Sequence, residues 1–69
     1  MTESTNLYDA LKAEIDRVQE IRDIYATIPA GTWARMEMEK DLKAARDAMA
    51  EMDVVKMMAH YQSLKEYEL

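Results

Sequence analysis

The sequence predicts an all-α fold, an antiparallel helical hairpin with a short third helix that assembles into an oligomeric helical bundle. Apolar residues recur at steps of three and four along most of the chain, the spacing of one helix face. Gly and Pro occur once each, too few to punctuate a set of strands and turns. The 69 residues are 49% hydrophobic and 33% charged, a balance that folds rather than staying disordered. Helices over about 6–28, 32–52 and 53–67 follow, within a single domain.

The first helix rests on Leu7, Leu11, Ile15, Val18, Ile21, Tyr25 and Ile28. Thr5 or Asn6 can cap its start, with Asp9 well placed in the first turn. Its opposite face carries Asp9, Lys12, Asp16, Glu20 and Asp23. Pro29 disfavours helical backbone at Ile28, and Gly31 permits a positive φ. Thr32 is then a candidate N-cap for the second helix. So short a connection makes the two helices antiparallel neighbours.

The second helix has a seam at Met38, Leu42, Ala45, Met49 and Met52. Continued further, that seam lands on Lys56, Ala59, Ser63 and Glu66, whereas the apolar residues are Val54, Met57, Met58, Tyr61 and Leu64. The stripe has moved by two residues, roughly 200° around a helix. A straight helix cannot keep both stripes in one core. A break near Met52-Asp53 is expected, with Asp53 capping the third helix. The alternative is one long helix whose halves face different subunits.

Size and composition bound the function. A chain of this length buries only about 60% of its unfolded surface when folding alone, and with no Cys it has no disulfides to compensate. Self-association into a dimer or tetramer is therefore expected. The net charge of -5 repels phosphate backbones and anionic membrane surfaces, so neither nucleic acid nor membrane is an expected partner. No apolar run is long enough to span a bilayer. Met1-Thr2-Glu3-Ser4 has neither the basic segment nor the apolar core of a signal peptide, and a cytoplasmic setting is expected.

No enzyme chemistry is expected. His60 is the only His, and the nearby Ser63 supplies neither a pocket nor an oxyanion hole. The bland alternative is a surface or interface His that could tune binding near neutral pH. A lone His without Cys makes no ordinary zinc site, and a single Gly makes no phosphate loop. Glu37, Glu39 and Asp41 lack the Glu-x-x-His spacing of di-metal bundles. They read as a solvated face with local pairs such as Glu39 with Lys43. No catalytic residue, metal or cofactor is assigned.

The candidate partner or oligomer interface is Trp33, Met36, Met57, Met58, Tyr61, Leu64 and Tyr67. Met fills irregular cores and also suits adaptable binding surfaces. Met57 and Met58 point about 100° apart, so one small core cannot hold both. Trp33 follows the turn, where it either plugs the end of the bundle or anchors a partner. Tyr61, Leu64 and Tyr67 line one side of the last segment.

The stretch Ile28-Pro29-Ala30-Gly31-Thr32-Trp33-Ala34-Arg35-Met36 resembles short helical proteins encoded by enteric bacterial prophages, small antirepressors among them. Asp53-Val54-Val55-Lys56-Met57 and Tyr61-Gln62-Ser63-Leu64 share that likeness. The resemblance implies an oligomer of helical hairpins that binds a phage repressor and releases it from operator DNA. Two other functions compete. In one, Asp9, Asp16, Glu20 and Asp23 imitate phosphates, making the chain an acidic DNA mimic that inhibits a nucleic-acid-binding protein. In the other, the chain is a purely structural oligomerisation module.

Overall fold

The computed structural model describes residues 6–68. The polar start at Thr2 to Thr5, including the alternative cap Thr5, lies outside the described residues. Among the described residues there are three α-helices, one short 3-10 turn and no strand. Helix α1 spans Leu7–Tyr25, α2 Thr32–Glu51 and α3 Val54–Lys65.

Asn6 starts α1: its backbone is extended and its Oδ1 accepts the Asp9 N–H at 2.8 Å. Leu11, Ile15, Val18 and Ile21 are buried, and Leu7 and Tyr25 pack against them. The helix stops at Tyr25 rather than at Ile28. Thr27 N–H donates to Ile24 O and Ile28 N–H to Tyr25 O, tighter bonds that wind the chain out of the α-helix. Ile28, forced to extended backbone before Pro29, leaves the stripe and is exposed.

The turn differs from expectation in two further ways. Gly31 has φ -91, so it is not needed for a left-handed conformation. It is needed for room, since a Cβ there would sit 3.1 Å from Tyr25 Cδ2 and 3.2 Å from Tyr25 O. Gly31 also occupies the N-cap position, and Thr32 is already helical. The Thr32 hydroxyl donates backward to Pro29 O at 2.9 Å instead of capping α2.

Helix α2 returns antiparallel to α1. Arg22 pairs with Glu39, and the more N-terminal Gln19 accepts from the more C-terminal Arg46 at 2.7 Å. Its buried residues are Met38, Leu42, Ala45 and Ala48. Met49 is half-buried and Met52 exposed, so the inward face has already begun to turn toward a third neighbour. The break comes at Met52, which takes a left-handed backbone, φ 54 and ψ 35. Met52 N–H donates to Met49 O and Asp53 N–H to Ala48 O, the pair of bonds that closes a helix end with a left-handed residue. Asp53 then caps α3, accepting the Lys56 N–H on its side chain at 3.1 Å.

Helix α3 packs on both α1 and α2. Met57 and Leu64 are its buried residues, with Tyr61 and Tyr67 half-buried beside them. Its far end is tied at two places. Arg17 donates to Leu64 O and Tyr67 O, both at 2.8 Å, while Glu14 holds the same guanidinium. The Tyr67 hydroxyl donates to Asp41 Oδ2 at 2.6 Å. Arg17 thus adds a charged donor to Leu64 O, which also accepts the Tyr67 N–H at 3.2 Å, and ties Tyr67 O, just past the helix end, to α1. The core contains no buried polar or charged residue among those described.

Candidate protein-binding surfaces

The lengths of the helices create the main surface feature. At 1.5 Å per residue, α1 and α2 run about 29 Å, whereas α3 runs about 18 Å. Starting from the bend and ending near Arg17, α3 covers only part of the hairpin. Beyond its end lies a groove of about 280 Å³ lined by Arg17, Glu20, Ile21, Ile24 and Glu68. Ile24 is 43% exposed there.

Two further apolar surfaces flank the core. At the hairpin end, Trp33 is 82% exposed, with Met36 exposed three residues on and therefore on a neighbouring face. Trp33 does not plug the bundle; Tyr25, not Trp33, packs against the core. At the bend between α2 and α3, Met52, Val54, Val55 and Met58 are all exposed, Val55 at 79%. Val54, expected in the stripe of the third helix, sits in its first turn outside the core.

The candidate interface residues therefore separate. Trp33, Met36 and Met58 lie at the surface. Met57 and Leu64 are 3% and 0% exposed and belong to the chain's own core, so they offer nothing to a partner unless α3 is displaced. Tyr61 is half-buried under Lys65, whose Nζ lies 5.3 Å from the ring centroid. Tyr67 is committed to Asp41. Ile24, Ile28, Met52, Val54 and Val55 were not among the candidates. The adjacency of Val54 and Val55 was the available signal, since consecutive helix positions cannot both face one core.

Electrostatics adds structure rather than chemistry. Arg22 holds Glu39 through two nitrogens, and Arg35 Nη1 donates to the same carboxylate at 3.1 Å. Hydrogen bonding from Arg22 holds the Glu39 carboxyl below the usual range. The pairing expected between Glu39 and Lys43 is replaced by this cluster, because α1 brings a guanidinium close; Lys43 pairs with Asp47 instead. Burial, reinforced by Asp41, pushes the Tyr67 phenol up. On the outer face of α1, Asp16 pairs with Lys12 at 3.6 Å and Asp23 with Arg22 at 3.0 Å.

His60 is half-buried in a second groove, about 240 Å³, between α2 and α3, with Asp47, Glu51 and Lys56 around it. Ser63 is exposed. No group of three or more His, Cys, Asp or Glu could hold a metal ion among the described residues. No helix among them is long and apolar enough to cross a membrane. No family model, curated protein or solved structure matches the chain.

Proposed function

We propose that this chain is a non-enzymatic, protein-binding regulator that works by docking exposed apolar side chains onto another protein. One observation carries this. The helices enclose a fully apolar core, yet nine large hydrophobic side chains remain exposed among the described residues, led by Trp33. An exposed Trp has no task in holding this fold, whereas Trp is prominent among the residues that dominate protein interfaces. The resemblance of the segment around Trp33 to prophage antirepressors names a specific partner class, a phage repressor released from its operator. The same surplus of apolar surface favours a dimer or tetramer.

A mobility-shift assay with a repressor–operator complex from the same host tests this, alongside the Trp33→Ala variant. Free DNA should reappear as the protein is added, at a higher concentration for the variant. DNA that stays fully bound at large excess, with no complex between protein and repressor, refutes the antirepressor assignment. The DNA-mimic alternative expects binding that collapses with salt. It is weakened by the cations paired with Asp16 and Asp23 on that face.

A further inference from the structure

The groove beyond the end of α3 has a chemistry of its own. Its floor is Ile21 and Ile24, on the flank of α1 that continues past Arg17. From Arg17 to Tyr25 is about 12 Å, two turns of helix. Its rim carries Glu20 and Glu68, which make no hydrogen bond or ion pair with other described residues. The single cation in the lining, Arg17, is occupied by Glu14 and by the carbonyls of Leu64 and Tyr67. The groove is thus apolar at its base and anionic at its edge.

We infer that this groove binds a basic amphipathic helix from a partner protein, laid along the axis that α3 vacates. Apolar side chains of the partner would rest on Ile21 and Ile24 while its Lys or Arg residues meet Glu20 and Glu68. Helices recognised in grooves present anchors at such one- and two-turn intervals. A second copy of this chain fits less well at this site. A two-fold interface brings the same patch against itself, and here that sets carboxylates against carboxylates. The inference rests on the protein-binding reading and adds to it a second surface, separate from the one around Trp33.

The test uses the full chain and two synthetic amphipathic peptides of about two heptads, one with Leu and Lys, the other with Leu and Glu. Backbone amide NMR maps where each binds. The Lys peptide should shift amides from Arg17 to Ile24 and at Glu68, and the Glu peptide should not. Ile24→Asp should weaken the Lys peptide about tenfold. Glu20→Lys, an exposed change that leaves the core intact, should weaken it severalfold, and Trp33→Ala should leave it unchanged. Shifts centred on Trp33 or on Val54 to Met58 overturn the groove assignment while leaving a protein-binding role standing. Equal binding of the two peptides, no binding of either, or an Ile24 covered in a homo-oligomer also overturns it. The repressor-release assay then decides the broader role independently.

Discussion

Met52 allows the path of the chain to be tested by a reversal of sign. Inside a helix, Ala is more stabilising than Gly by about 1 kcal/mol. Met52, however, has φ 54, in the left-handed region, where a residue with a Cβ pays about 1–2 kcal/mol that Gly avoids. Against that stands the extra entropy an unfolded Gly loses on folding, about 0.5–1 kcal/mol. Met52→Gly should therefore be more stable than Met52→Ala by about 0.5–1 kcal/mol. Both variants lose the same mostly exposed side chain, 65% accessible, so its packing cancels in the comparison. For a domain of this size, 1 kcal/mol corresponds to about 4–8 °C in Tm. Thermal unfolding followed by circular dichroism, with urea melts as a check, measures the difference. If Ala proves the more stable by about 1 kcal/mol, α2 runs on through Met52, and the break, the docking of α3 and the groove at its end all fail together.

Three other outcomes are expected. Leu64→Ala should destabilise by about 2–5 kcal/mol in urea, because Leu64 is fully buried in the core; a loss under 1 kcal/mol would mean that α3 is not docked. Tyr67→Phe should cost about 1 kcal/mol from the lost bond to Asp41. It should also remove an alkaline component of stability: a phenol raised in the folded state stabilises below about pH 10, and that contribution fades as pH rises through the folded value. Glu39 has the opposite sign. A carboxyl lowered by Arg22 stabilises above about pH 4.5, and the gain is lost as pH falls through the folded value. Glu39→Gln should flatten that acid limb in melts across pH, and an unchanged limb would show that the pair is inert.

Much of this architecture was legible in the residues. The stripe from Leu11 to Ile21 is a one-dimensional signal, and burial follows it closely. The two-residue jump after Met52 marks the bend, because a straight helix cannot keep both stripes in one core, and the left-handed Met52 chooses the bend over a long helix shared between subunits. Less legible were features that depend on who the neighbour is. Glu39 lies within reach of Lys43 along its own helix, yet Arg22 from α1 takes it. Gly31 suggests a positive φ, but the constraint is the approach of Tyr25, residues away in the chain. Met57 and Met58 offered two candidates for an outward role, and only the docking direction of α3 chose Met57 for the core.

Composition and periodicity alone determined that this chain is helical, and they called for either a break near residue 52 or one long helix facing two subunits, since those properties follow from local backbone geometry and counting. The tertiary structure decided which apolar side chains are left outside. That choice depends on α3 being about 11 Å shorter than the hairpin it packs against and on Arg17 and Asp41 fixing where it ends, and neither length matching nor a long-range tether is written in any local stretch of residues.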